Sequence, residues 1–334
     1  RVFQGRRINL AVVGLDSRLG ERYSRADANH IISFLIDSGK IEIYSIPRDT
    51  YADAGFPDTT TFNILANYRA VKGRYEYLKQ AAEIAGLDKI HHYMELSFSQ
   101  AMGILNLFGF KNSNETLQVL RSRKLFPESD FQRTYNQAQF IKQMIIKNAD
   151  VLESNLGSLI VRGGLNLVDT DLTTSRVFEI LELMKSNGFK PKVENFSLHI
   201  RPANQMKLKQ YDFVNAEVMN TLIEQAEKLQ SDTSDNGTDF QEVLTNRLYK
   251  ILDKAALDSA NQTNNVINNL ETMFKQRVWH QVADTAHRAI IRDRFAYTLA
   301  HCYQKKNKSE KAEDVKRILE IERQINNLMN KVEE

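Results

Sequence analysis

Two apolar, β-rich runs, Ile31 to Ile36 and Ile41 to Ile46, are separated only by Asp37-Ser38-Gly39-Lys40. Turn-forming residues across so short a gap predict an antiparallel hairpin. Pro47 closes the second run, because it has no N–H for a strand ladder. A further run, Ile8 to Val13 ending at Gly14, reads as a buried strand feeding a loop.

Helical periodicity then alternates with short strands. It covers Tyr75 to Ala85, Ser99 to Leu107 and about Phe131 to Leu152, with a strand-like run at Tyr93 to Leu96. A helix from near Thr173 to about Lys185, capped by Asp171 or Thr173, precedes a last strand over Val193 to Ile200. This order predicts an α/β class: a three-layer α/β/α sandwich on a mixed central sheet. After Tyr211 to Leu229, the stretch Ser231 to Asp239 has no apolar residue and marks a boundary. We therefore expect one domain over residues 1–230, a linker over 231–240 and an all-α helical-hairpin domain over 241–334. In that last part Leu270, Phe274, Ala283 and Ile290 recur as Leu299, Tyr303, Ala312 and Leu319, each pair 29 residues apart. The pattern resembles tetratricopeptide hairpins, and two such units bury little unless they lean on a neighbour or cap a longer surface.

Several function classes fall away on bulk properties. A net charge of +3 does not point to nucleic acid. Apolar stretches such as Met102 to Phe110 are far shorter than the ~20 residues a membrane helix needs. The chain begins at Arg1 without a methionine, so an upstream signal or anchor is expected. The single cysteine, Cys302, cannot form an internal disulfide and fits any compartment. Cys302 and Trp279 read as packing residues, and His91-His92, on opposite faces of a strand, do not suit a shared metal.

Five short segments carry chemistry: Gly14-Leu15-Asp16-Ser17-Arg18, Arg25-Ala26-Asp27, Ile46-Pro47-Arg48-Asp49-Thr50, Arg121-Ser122-Arg123, and Asp130-Phe131-Gln132-Arg133 with Gln137. Two follow predicted strands, where open sheets present ligand-binding groups. If extended, Arg121 and Arg123 would point to one side. If Ser129 or Asp130 caps the long helix, Arg133 falls in its first turn, where the dipole disfavours a cation by ~0.3–1 kcal/mol. That placement asks for an anion, either Asp130 or a phosphate over the helix N-terminus. Arg133 and Gln137 would share one helix face. Arginine forks suit a diphosphate, and two nearby aspartates suit Mg²⁺, which prefers carboxylate, water and phosphate oxygens. Together they outline a phosphoryl-transfer site.

In this order the five segments resemble the LytR-CpsA-Psr family of cell-wall glycopolymer ligases, over roughly residues 8–150. Val168-Asp169-Thr170-Asp171-Leu172 is similar to a later segment of that family. The resemblance implies transfer of a phosphorylated glycan from a polyprenyl diphosphate carrier to a hydroxyl of peptidoglycan or another envelope glycan, with Mg²⁺, outside the cytoplasm. It implies Asp16 and Asp27 as metal carboxylates, and Arg48, Arg121, Arg123 and Arg133 as the diphosphate clamp with Gln137 helping. Asp130 resembles a carboxylate that orients a catalytic arginine or accepts a proton, and its arginine-rich company favours the orienting role. Arg18 and Arg25 match supporting positions. The stretch from Leu107 to Arg121 is shorter than usual for the family.

Plainer readings compete. Asp16 and Asp27 also suit turns, Arg48 and Asp49 suit an internal ion pair, and Arg121 with Arg123 suits a solvated edge strand. Diphosphate hydrolysis is a variant of the enzymatic reading. A non-catalytic envelope protein that keeps the anion clamp to bind a polyprenyl-diphosphate-linked glycan, its helical tail docking a protein partner, is the other class.

Overall fold

A computed structural model describes residues 5–17, 19–21, 24–58, 61–110, 112–126, 129–154, 156–231 and 240–333. In chain order the first elements are β1 (Arg7–Asp16), β2 (Arg25–Leu35), β3 (Lys40–Ser45), α1 (Leu65–Ala85), β4 (His92–Ser97) and α2 (Phe98–Leu107). There follow α3 (Ser113–Arg121), α4 (Ser129–Lys147), α5 (Ala149–Glu153), α6 (Gly157–Leu167), β5 (Asp169–Thr170), α7 (Thr174–Ser186), β6 (Phe196–Ile200) and α8 (Ala216–Ser231). The C-terminal part is α9 (Phe240–Asp258), α10 (Thr263–Lys275), α11 (Thr285–Lys305) and α12 (Ser309–Glu333). Most of the expected linker, residues 232–239, lies outside the described residues.

The strands form one mixed sheet in the order β5-β4-β1-β2-β3-β6. β2 pairs antiparallel with β1 and β3, whereas β1 with β4 and β3 with β6 are parallel. The hairpin closes through a 3₁₀ turn over Ile36–Ser38 and Gly39 at φ 58°, where a Cβ would also strike the Asn187 carbonyl at 2.5 Å. Strand alternation sorts side chains to two faces. Ala11, Val13 and Ile31 pack under Tyr77, Ala81 and Ala85 of α1. Leu10, Ile32 and Ile43 pack against Ala138 of α4 and Ile180 and Met184 of α7. Helices thus cover both faces, the expected α/β/α layering. Ser97 makes a capping box with Gln100 that turns β4 directly into α2.

Several local expectations change: β2 already starts at Arg25, and the helix expected over about Phe131 to Leu152 divides into α4 and α5. The helix foreseen from Tyr75 begins at Leu65, with non-helical backbone at Gly73. The last strand is only Phe196–Ile200, after a 3₁₀ turn. Arg121 and Arg123 are not on an extended segment: α3 ends at Arg121 and Ser122 follows as its C-cap.

The C-terminal helices have their own core, including Leu248, Leu270, Phe274, Trp279, Phe295, Leu299 and Tyr303. Of the 29-residue recurrence, Ala312 and Leu319 are also buried, but Ala283 and Ile290 are exposed, so it does not mark equivalent packing at those two positions. These helices do lean on the first part. Ile321 and Ile325 of α12 form one apolar cluster with Leu107 and Ile160.

Candidate functional site

One end of the central strands gathers the chemistry. Because β1 and β2 are antiparallel, the end of β1 meets the start of β2, setting Asp16 opposite Arg25. β3 leaves the sheet at the same end, and the Ile46 N–H donates to the Asn29 carbonyl at 2.9 Å, placing Arg48 beside Asp27. α3 ends there with Arg121, and α4 begins there with Asp130 and Arg133. Among the described residues, Asp16, Arg25, Asp27, Arg48, Arg121, Arg123, Asp130 and Arg133 therefore form one connected cluster. Arg18 lies outside the described residues.

The contacts chain carboxylates to guanidinium groups. Asp16 accepts from Arg25 at 2.6 Å and lies 3.6 Å from Arg121. Asp27 pairs with Arg48 and lies 4.0 Å from the same Arg121 nitrogen. Asp130 pairs with Arg133, lies 3.6 Å from Arg123 and accepts the Arg48 backbone N–H at 3.1 Å. Asp49 bridges Arg48 at 3.3 Å and Arg123 at 3.0 Å, so the plain ion-pair reading of Arg48 with Asp49 holds as geometry.

Electrostatics distinguish the two candidate metal carboxylates. Desolvation raises the Asp16 pKa, but Arg25, Arg121 and Arg48 outweigh it and hold the group below the usual carboxylate value. For Asp27, deeper burial dominates, the Asp16 charge adds to it, and Arg48, Arg133 and Arg121 only partly oppose, so its pKa is raised. A cation would therefore relieve a standing cost at Asp27. Two aspartates within 4.0 Å of one guanidinium nitrogen suit Mg²⁺, which takes one or two carboxylates and completes its shell with water and phosphate. Among the described residues no three His, Cys, Asp or Glu side chains make a metal cage, so any cation here depends on such outside oxygens.

Arg133 is only 4% exposed, and its Nε has no hydrogen-bond partner. Burial lowers its pKa, with the Asp130 charge opposing. A buried guanidinium nitrogen without a partner at the start of a helix is a group that could take an anion. Gln137 departs from expectation. Its amide donates to the Leu120 carbonyl at 3.1 Å, and its Oε1 meets His30 Nε2 at 3.2 Å. It braces α3 against α4 through the first of these contacts. His30 also meets Ser45 Oγ at 2.7 Å, and burial pushes its pKa down to about 4, so the ring is neutral.

Two features were not read from the sequence. Phe98, the first residue of α2, lies under the Arg121 guanidinium at 4.9 Å and steadies it. A groove of about 1190 Å³ starts at Arg25, Arg48 and Asp49 and runs along Tyr51, Phe62, Asn63, Asn67 and Val71. Tyr51 is 68% exposed and Phe62 54%. The only sequence signal was an aromatic and asparagine-rich loop following Pro47-Arg48-Asp49. His91 and His92 are separately engaged, by Asn9 and by Arg176, and share no site.

Residues 4–107 match the model of the LytR_cpsA_psr family. The fold is similar to that of TagV of B. subtilis, at 16% identity and a TM-score of 0.47, covering 67% of this chain and 97% of that one. Protein gbs0355 from Streptococcus agalactiae is similar at 15% identity and a TM-score of 0.48, covering 70% and 91%. TagT bound to LI-WTA is similar at 18% identity and a TM-score of 0.40, covering 68% and 90%. Comparison with curated proteins finds no match.

Proposed function

Taking residues 4–107 as LytR_cpsA_psr sequence, we propose that this chain is a Mg²⁺-assisted phosphotransferase of the cell envelope. Its donor is a glycan on a polyprenyl diphosphate, and its acceptor is a hydroxyl of peptidoglycan or another envelope glycan. The observation that carries the reading is the meeting of Arg48, Arg121, Arg123 and Arg133, drawn from three separate segments, around Asp16, Asp27 and Asp130.

The ion pairs suggest how the site accepts its substrate. Alone, the aspartates and arginines satisfy one another. Asp16 and Asp27 are the residues that would hold Mg²⁺, which would supply neutralisation of phosphate charge when bound. Arg48 and Arg121, relieved of those carboxylates, would face diphosphate oxygens with paired N–H donors. Arg123 is half exposed and reaches the same space. The Arg133 Nε has its donor free. Asp130 acts by orientation: one carboxylate fixes both the Arg48 backbone and the Arg133 fork.

In transfer, the acceptor oxygen bonds to the glycan-side phosphorus while that phosphorus parts from the bridging oxygen. Polyprenyl phosphate leaves and the hydroxyl proton passes to solvent. The arginines stabilise the charge spread over the phosphoryl oxygens. The groove along Tyr51, Phe62 and Asn67 opens directly on Arg48, and its exposed rings and amides suit a saccharide acceptor. The proposed setting is extracytoplasmic, with a division at residues 231–240 between a transferase part and a helical part. Among the described residues, no helix is long and apolar enough to cross a membrane.

Incubation with geranyl diphosphate and Mg²⁺ tests the reading. Phosphate release or transfer by the full chain, reduced about a hundredfold or more in Arg123→Ala, is the expected result. Calorimetric binding of geranyl diphosphate without turnover would leave a non-catalytic binding protein. Neither binding nor turnover would remove the anion site altogether.

A further inference from the structure

The turn between Asp16 and Arg25 is gripped from outside the α/β layers. Gln276, at the end of α10 and 9% exposed, accepts the Gly20 N–H at 2.9 Å and donates to the Glu21 carbonyl at 3.0 Å. Leu19 packs against the core of the C-terminal helices. Gly20 holds φ 81°, and a Cβ there would stand 3.1 Å from Met273 Cε of α10. The same segment is fastened to the end of β4 and the start of α2: Ser97 Oγ donates to the Gln276 carbonyl at 3.2 Å, and Gln100 Nε2 to the Lys275 carbonyl at 3.0 Å. Ser97 pairs with Leu15, the neighbour of Asp16.

We propose that Gln276 is a positioning residue for the anion site, and that α10 supports that site by holding Leu19–Glu21, which lies between the Asp16 end of β1 and the Arg25 end of β2. This builds on the phosphotransferase reading, because the turn matters through the groups at its two ends. A side-chain amide is well matched to such a turn, since its one oxygen and one nitrogen meet a backbone donor and a nearby acceptor at once, the Gly20 N–H and the Glu21 carbonyl. An adaptor attached only by a linker would have no reason to hydrogen-bond this turn in two places. The C-terminal helices are then part of the catalytic architecture, and anything that shifts α10 is felt at Asp16.

The test uses the full chain and two readouts, amide hydrogen exchange and the Mg²⁺ concentration needed for half-maximal binding of geranyl diphosphate. Gln276→Met keeps the volume but loses both hydrogen bonds. We expect exchange at Gly20 to rise about tenfold or more, and the Mg²⁺ requirement to rise about tenfold, while amides within α10 and α11 keep their protection. Gln276→Glu keeps the acceptor for Gly20 and should restore much of the Gly20 protection. Should Gln276→Met fail to fold, Gly20→Ala pushes the turn away from Met273 and should raise the Mg²⁺ requirement in the same way. Unchanged Gly20 exchange and unchanged Mg²⁺ dependence in Gln276→Met would overturn the proposal. Wild-type protein that binds no geranyl diphosphate would instead defeat the underlying reading, and a positioning role at that site would fall with it.

Discussion

Replacing Arg48 by alanine isolates the cost of leaving Asp27 without its partner. The two side chains are 13% and 16% exposed, so solvent screens the pair weakly. Removing one member of a buried pair costs roughly 3–5 kcal/mol. Arg121, 4.0 Å from the other Asp27 oxygen, recovers part of that, leaving an expected loss of about 2 kcal/mol at neutral pH. In a folded unit of this size that is a drop of roughly 4–8 °C in Tm. The sign with pH follows from Asp27, whose folded pKa already lies above its ordinary value of 3.8. Its ionisation costs stability, and that cost is absent below the unfolded pKa and grows as pH rises through the folded one. Arg48→Ala raises the folded pKa further, so the gap between variant and wild type should be widest near pH 7 and close as pH falls toward 4. Calorimetric scans at pH 7 and pH 4 measure this, and Mg²⁺ should narrow the neutral-pH gap by taking the place of the lost cation. A gap that widens toward low pH, or no gap at pH 7, would refute the account of Asp27. In turnover of geranyl diphosphate the same variant should lose about 10²–10³-fold.

Two further outcomes are expected. Asp130→Asn removes the charge that pairs with Arg133 and approaches Arg123 while still accepting the Arg48 N–H; turnover should fall about a hundredfold with a smaller change in diphosphate binding, read from separate kcat and KM values. Glu95, 1% exposed, takes both forks of Arg69 at 2.6 and 2.8 Å and Arg74 at 2.9 Å, which outweigh burial and lower its pKa. Glu95→Gln should cost about 3–5 kcal/mol at pH 7, and the difference should shrink as pH falls through the wild-type pKa, because a depressed carboxylate contributes its stability only while ionised; equal urea midpoints at pH 7 would sink it.

The hairpin, β1, β4 and the helices α2, α4 and α7 were legible because their apolar spacing is set by which face they bury. β2 was read short. Its first residues, Arg25 to His30, alternate alanines with polar groups, and the burial of Asn29 and His30 is made tolerable by partners outside the strand: Tyr77 donates to Asn29 at 2.6 Å, and Ser45 meets His30. Period-two reading cannot anticipate polar groups satisfied by a neighbouring strand or a packed helix. The candidate site was legible as five segments because arginine beside aspartate at strand and helix ends is unusual chemistry. Its pairing was not: nothing local tells Gln137 to bind the Leu120 carbonyl, or Gln276 to reach a turn 256 residues away. The Ile290 position shows the reverse error, an apolar residue that fits a recurrence yet is 49% exposed.

The contact between α6 and α12 bears on how such a chain can change over time. A Cβ on Gly163 would fall 2.3 Å from Cδ1 of Ile325, so the two helices meet where one of them has no side chain at all. Neither position can enlarge unless the other shrinks. A helical array borrowed from an unrelated chain would arrive without the matching protrusion, leaving a hollow beside Leu107 and Ile160, whereas any residue larger than glycine at 163 would push the native array off its seat. Recombination that treats the two parts as interchangeable cassettes should therefore fail at this notch, and substitutions on its two sides are expected to arise in pairs.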